Sequence, residues 1–227
     1  MKNNLDKFIY LADIFEKNGF KLFLIGGSSR DYLLKRHFSD FDVTTDATPE
    51  EIEKFLPNIK KTFAKFGSVS LEVEGEHFDI TTFRKEQKYS DSRHPAEVEF
   101  VKTIEEDYVR RDFTINAIYI DRDVKIHDMG TSLQDLKYVL IRMIGDPKKR
   151  LAEDPLRILR AIRFSLMLDF EIEESLFYAM REQSSKLNNI NPDKINEEIR
   201  KMKKSGVNSL KIKSEFQKFN VLPGWKI

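Results

Sequence analysis

The run Lys21-Leu22-Phe23-Leu24-Ile25-Gly26-Gly27 constrains the fold of this chain more than any other stretch. Its apolar residues read as a buried strand, and the glycine pair ends that strand abruptly. Glycines there let the backbone approach a ligand closely and turn its N–H groups toward phosphate. Arg30 follows, and then Asp40-Phe41-Asp42 opens a second apolar stretch. Residues i and i+2 of a strand share a face, so Asp40 and Asp42 project side by side. Carboxylates held that close need a cation, and hard oxygen ligands favour magnesium. Taken singly, a Gly-Gly pair is an ordinary turn and an Asp-x-Asp an ordinary solvated loop. Together, at this spacing, they suggest a site for a magnesium-bound nucleoside triphosphate. It is not the phosphate loop of the common ATPases, because the chain has no Gly-x-x-x-x-Gly-Lys-Ser/Thr run.

Composition narrows the chemistry further. A length of 227 residues allows one large domain or two small ones. A hydrophobic content of 40% with 18 Phe is enough for a real core. With Cys at 0, disulfides, zinc–cysteine sites and thiol nucleophiles are excluded. His37, His77, His94 and His127 are scattered and form no ligand pattern. The first residues carry no signal-peptide pattern and no apolar run is long enough to span a membrane, so the expectation is a soluble, cytoplasmic protein. From Lys194 onward nine Lys or Arg face three Glu, which makes that stretch basic and leaves the rest acidic. Such asymmetry fits a polyanionic partner, and it equally fits a solvated helix face.

The element pattern is α+β, in two regimes. Up to about residue 128 strands and helices mix. Leu5–Asn18 reads as an amphipathic helix ended by Gly19, and strands follow at Lys21–Ile25 and Phe41–Thr44. Thr48 and Pro49 open a helix to Phe55. Ser68–Val73 and His77–Thr82 read as a hairpin turning at Glu74-Gly75-Glu76, and Arg84–Pro95 as a polar, mobile loop. After Asp128 the strand signals stop, and helices are predicted at Leu133–Leu136, Pro155–Leu168, Glu173–Gln183 and Asp193–Lys204. The predicted division is therefore 1–128, 129–204 and a basic segment 205–227.

Two further constellations carry chemistry. In Arg110-Arg111-Asp112-Phe113-Thr114-Ile115-Asn116-Ala117, the side chains of Arg111, Asp112 and Asn116 could reach ribose hydroxyls and phosphate from one segment. An ion-paired helix start is the competing reading. In Glu153-Asp154-Pro155-Leu156-Arg157, Pro155 suits a first helical turn capped by Asp154. Asp154 and Arg157 then lie three apart on one face. One accepts hydrogen bonds and the other donates them, so the pair could read a nucleobase edge. Arg160 extends a basic stripe suited to phosphates. A plain salt bridge between Asp154 and Arg157 is the competing reading.

These three stretches, Gly26–Asp46, Arg110–Ala117 and Glu153–Phe164, resemble the template-independent RNA nucleotidyltransferases in sequence and in order. More narrowly they are similar to the bacterial-type (class II) CCA-adding tRNA nucleotidyltransferases, relatives of bacterial poly(A) polymerase. The resemblance implies a polymerase-β-like head with a mixed sheet, a helical neck, and addition of C, C and A to tRNA 3′ ends from CTP and ATP with magnesium. By position, Asp40 and Asp42 would bind the metal ions, and Gly26, Gly27 and Arg30 the triphosphate. Arg111, Asp112 and Asn116 would hold ribose and phosphates. Asp154 and Arg157 would stand in for a template base, Glu153 would orient Arg157, and Arg160 and Arg163 would assist at the phosphates. Lys85–Pro95 matches the flexible loop of full CCA-adding members, and Asp79 is placed where a third acid could face the metals.

The chain departs from the family in three ways. Ser29 stands where relatives carry valine, and Asp193-Lys194 where they often carry Glu-Arg. The family's body and tail domains are expected to be absent. The expectation is thus a minimal, split or truncated enzyme, with a second chain or self-association as one source of RNA contacts. Two alternatives stay open: a poly(A) polymerase-like tailing enzyme, and a non-catalytic remnant that binds nucleotide or RNA.

Overall fold

The structure, a computed structural model, describes residues 5–89 and 95–225. It divides into two compact units, one comprising Met1–Gln87 and Glu97–Leu133, the other Lys88–Ala96 and Gln134–Ile227.

The first unit opens with α1 (Asp6–Lys17), which buries Phe8, Leu11, Ala12 and Phe15. Their spacing of three and four keeps one stripe toward the sheet, and burying each phenylalanine contributes about 1.5–3 kcal/mol. Next come β1 (Leu22–Leu24), α2 (Gly26–Leu33), β2 (Asp40–Thr45) and α3 (Pro49–Phe55). At the start of α3, Thr48 Oγ1 accepts from Glu51 N while Glu51 Oε2 accepts from Thr48 N, a reciprocal cap. Then follow β3 (Lys60–Phe63), β4 (Ser68–Val73), β5 (Glu76–Thr82), β6 (Arg84–Tyr89), β7 (Pro95–Phe100), α4 (Ile104–Tyr108), β8 (Ile118–Ile120) and β9 (Ile126–Asp128). The β4–β5 turn works because Glu74 and Gly75 both take positive φ, 48° and 82°.

Among the described residues the main sheet runs β3-β4-β5-β2-β1-β8-β9. β2 pairs parallel with β5, in the register Phe41↔Phe78 and Asp42↔Asp79. The Phe41 and Phe78 rings stack at 4.5 Å on the core side. A cluster of Phe23, Ile25, Phe83, Val101 and Tyr119 fills the centre beside β1.

The second unit is helical. α5 (Ser132–Lys137) crosses into it, followed by β10 (Leu140–Ile141), α6 (Pro147–Glu153), α7 (Leu156–Leu168), β11 (Glu171–Ile172), α8 (Glu174–Gln183), α9 (Pro192–Lys204) and α10 (Ser209–Lys218). α7 is the central element and buries Leu156, Ile158, Leu159, Ala161, Ile162, Phe164 and Leu168.

Several expectations are corrected here. Arg84–Pro95 is not a loop throughout: β6 and β7 pair as a two-stranded ribbon, and residues 90–94 lie outside the described residues. β6 is polar at every position but Tyr89, whereas β7 alternates Ala96, Val98 and Phe100 with Glu97 and Glu99, a period of two that does mark a strand. Strands do not stop at Asp128, since β10 and β11 pair in parallel, but at two residues each they are too short for periodicity to reveal. Gly26 and Gly27 are not an open turn but the first residues of α2. Segment 205–227 is not merely basic: Asn208 caps α10, and Ile212, Phe216 and Phe219 are buried, with Phe219 against Phe177 at 5.0 Å. Lysines on the other face of α10 mask that stripe in the sequence. The two compact units part between Leu133 and Gln134. No helix among the described residues is long and apolar enough to cross a membrane.

Candidate functional site

In the first unit the glycine pair and the acidic pair are joined by hydrogen bonds. Gly27 N donates to Asp42 Oδ2 at 2.9 Å. Asp42 N donates to Ser28 Oγ, and that hydroxyl donates to the Asp40 carbonyl, both at 2.8 Å. Gly26 is forced to be glycine twice over: its φ is +69°, and a Cβ would come 2.8 Å from Asp42 Oδ2. Ser28, buried and bridging both aspartates through their backbone, is a residue that sequence reasoning passes over. Its only signal is its place two residues into a helix that faces an acidic strand.

Asp40 and Asp42 share one face of β2, and the β2–β5 register puts His77 beside Asp40 and Asp79 beside Asp42. His77 Nε2 lies 3.2 Å from Asp79 Oδ1. Burial pushes the Asp42 carboxyl up, and the Asp79 charge adds to this, against the pull of the Gly27 N–H and of Arg111. Among the described residues no three His, Asp or Glu side chains close on one point, so a cation here would need further oxygens from a ligand. The donor set is hard oxygen, which suits magnesium.

Arg30 is buried: its Nε and Nη2 donate to Asp31 at 2.9 and 2.8 Å, and its Nη1 to Asn116 Oδ1 at 2.7 Å. Asn116 lies in a 3-10 turn, Thr114–Asn116, and is itself buried. Asp112 Oδ1 accepts from Phe113 N. Arg111 is tied to Asp107, whose Oδ2 accepts from Arg111 Nη2 at 2.7 Å and from Tyr119 Oη at 2.9 Å. Arg110 joins through Asp107 Oδ1 at 2.7 Å. Burial opposes ionisation of Asp107, yet the Arg111 and Arg110 charges and the Tyr119 hydroxyl outweigh it and hold its pKa far below the usual range. Sequence reasoning missed Asp107, although it lies three and four residues before the two arginines, the spacing at which helical side chains meet.

The second unit holds the remaining candidates. Pro155 breaks the chain between α6 and α7, and Asp154 Oδ1 accepts from Leu156 N at 3.0 Å, capping α7. Glu153 Oε2 accepts from Arg150 Nη1 at 2.7 Å and from Arg157 Nη1 at 3.3 Å. Arg157 Nη1 also donates to the Arg150 carbonyl at 2.8 Å, and Arg157 Nε sits 4.0 Å from Asp154 Oδ2. Arg163 Nε donates to Glu198 Oε2 at 2.7 Å, linking α7 to α9, and Arg160 lies 5.6 Å from the Phe164 ring centroid. Glu198 is buried, which opposes its ionisation, but Arg163, Arg160 and Lys201 bring its pKa below the ordinary value.

This architecture, a mixed sheet carrying Asp40 and Asp42 ahead of a helical unit, has known counterparts. Residues 22–142 match the family model of the poly(A) polymerase head domain. The CCA-adding enzymes of Staphylococcus haemolyticus and Lactobacillus helveticus are 41% and 43% identical over 187 residues, 82% of this chain and 47% of each relative. The crystal structure of the Bacillus stearothermophilus CCA-adding enzyme in complex with CTP superposes with a TM-score of 0.81 at 31% identity, covering 89% of this chain and 49% of that one. The Thermotoga maritima CCA-adding enzyme complexed with tRNA gives 0.78 at 28% identity, covering 98% and 53%. The chain belongs to the family defined by the poly(A) polymerase head domain, and the relatives it matches are CCA-adding enzymes. It spans about half the length of the curated relatives it matches. Nothing in these comparisons supports a second chain.

Proposed function

We propose that this chain carries the nucleotide-transfer part of a CCA-adding tRNA nucleotidyltransferase, which adds C, C and A to tRNA 3′ ends from CTP and ATP. The observation that supports this most directly is the pair Asp40 and Asp42 on one face of β2, with Asp42 tied to the glycine start of α2. The solved complexes of relatives with CTP and with tRNA support the substrate reading.

In this reading Asp40 and Asp42 hold magnesium, and the excess of carboxylate around Asp42 fits that role. A magnesium ion held by these carboxylates would supply Lewis acidity toward the RNA 3′ hydroxyl and positive charge to offset the departing pyrophosphate. The 3′ oxygen bonds to the α-phosphorus, the bond to pyrophosphate breaks in line, and the hydroxyl proton leaves to solvent. Gly26, Gly27 and Arg30 hold the triphosphate, and Arg111 and Asp112 hold ribose and phosphates. Asp154 and Arg157 read the base, Glu153 orients Arg157, and Arg160 and Arg163 assist at the phosphates. A base whose donors and acceptors are reversed would leave buried polar groups of that pair unmatched, which is the source of selectivity without a template. The head corresponds to 1–128 and the neck to 129–204.

Labelled CTP and ATP offered with magnesium to tRNA transcripts ending before CCA, at C and at CC test the reading. Ordered addition of the missing residues is the expected result. Long A tracts from ATP alone would replace it with tailing activity, and no incorporation into any transcript would sink the transfer reading.

A further inference from the structure

Arg30 is 3% exposed, and each of its three guanidinium nitrogens is engaged. Consecutive helix residues point about 100° apart, so Arg30 and Asp31 are not the i,i+4 surface pair that helices use. The side chain bends back to place its Nε–Nη2 edge on both oxygens of Asp31, whose side chain is 18% exposed. The opposite corner, Nη1, meets Asn116, which is 7% exposed and belongs to a segment far along the chain. A buried ion pair is weak evidence for stability, because desolvation offsets most of the Coulomb gain. What gripping a planar fork at two sides does secure is orientation.

The guanidinium is held next to the glycine pair. A Cβ on Gly27 would lie 3.6 Å from Arg30 Nη2 and 3.3 Å from Asp42 Oδ2. Gly27 N donates to that same carboxylate oxygen. Cationic fork, backbone N–H and acidic group therefore meet around one residue that has no side chain.

We propose that Asp31 and Asn116 are positioning residues that lock the Arg30 guanidinium beside Gly27 and so preset it for the nucleotide triphosphate. This rests on the assignment of Arg30 to the triphosphate made above, and it puts Asn116 behind Arg30 rather than on the ribose. A donor fixed before the ligand arrives loses little freedom on binding, and a charge-assisted contact depends on its aim.

A double-mutant cycle on the full chain tests it, with dissociation constants for magnesium–CTP and melting temperatures measured together. Arg30→Ala and Asp31→Asn should each weaken magnesium–CTP about tenfold, the low end of the loss seen when supporting residues are removed from a ligand site. In the Arg30→Ala background, Asp31→Asn should add less than about twofold, because its effect runs through the arginine. Asn116→Leu supplies an independent arm of the same cycle should Asp31→Asn fail to fold. Wild-type affinity in Asp31→Asn, or losses that multiply in the cycle, would overturn the inference. So would a lowered melting temperature with unchanged affinity, which is the signature of a purely structural strap. If the wild-type chain itself binds no magnesium–CTP, the proposed function falls and this inference with it. That result is distinct from a wild type that binds and a variant that binds equally well.

Discussion

Strand β2 of the first unit and helix α7 of the second assemble charge in opposite ways. On β2, Asp40 and Asp42 make no ion pair with Lys or Arg among the described residues, and across the strand Asp42 faces another aspartate, Asp79. In the second, Arg157 is met by Glu153 and Asp154, and Arg163 by Glu198. The acidic face is short of countercharge, so it gains from a cation. The arginine face is already balanced and held in shape, so it can offer a fixed pattern of donors and acceptors. The same elementary rule, that charges need a partner, leaves an acidic face short of countercharge in one place and a braced arginine face in the other.

The sharpest way to break this comparison is Asp42→Ala. It should reduce transfer by about a thousandfold or more, roughly 4 kcal/mol of transition-state stabilisation. Melting should stay near wild type, because the carboxylate sits among like charge. Retained turnover in a single-turnover assay with magnesium would remove the cation role.

Glu198→Ala is the mirror experiment. It removes the buried carboxylate that Arg163 Nε donates to and should cost about 3 kcal/mol in urea unfolding. Stability unchanged by that substitution would mean the second unit is not held by its ion pairs.

Asp154→Ala should show an intermediate effect of a different kind. The preference for CTP and ATP over UTP and GTP should shrink by about 1–3 kcal/mol, by analogy with bidentate base readout. Triphosphate affinity should hold. Unaltered nucleotide discrimination would reduce Asp154 to a helix cap, a role it already has through Leu156 N.

The smallest expected effect is on acid stability. Burial opposes ionisation of Glu198, but Arg163, Arg160 and Lys201 win and lower its pKa. A carboxyl with a depressed folded pKa stabilises the fold above its ordinary value of about 4.3 and loses that contribution as pH falls through the folded value. Unfolding free energy should therefore drop on acidification below about pH 4, and Glu198→Gln should flatten part of that slope. Equal slopes in the two proteins would show that Glu198 does not titrate with folding.

Much was legible in advance. The α+β class, the stripe of α1, the Thr48 cap, the β4–β5 hairpin and α7, α8 and α9 all rest on local periodicity and turn chemistry, which need no tertiary context. The placement of Asp40 and Asp42 on one strand face follows from a period of two, and the family resemblance that rested on their spacing is matched by the relatives. The polar strand β6 and the two-residue strands β10 and β11 were not legible, because pairing rather than composition makes them strands, while the alternation of β7 was there to read. The apolar stripe of α10 was present but hidden behind its lysines.

Partners across the chain were the other blind spot. Nothing in the order of residues says that Arg30 meets Asn116 or that Arg163 reaches Glu198. Which residues carry charge, and at what spacing along a strand or helix, is a local property that the amino-acid sequence determines by itself. Which charges end as neighbours depends on strand order and helix packing, set by how the apolar faces bury together. Only the tertiary structure could therefore decide which arginines are braced and which carboxylates are left short of a cation.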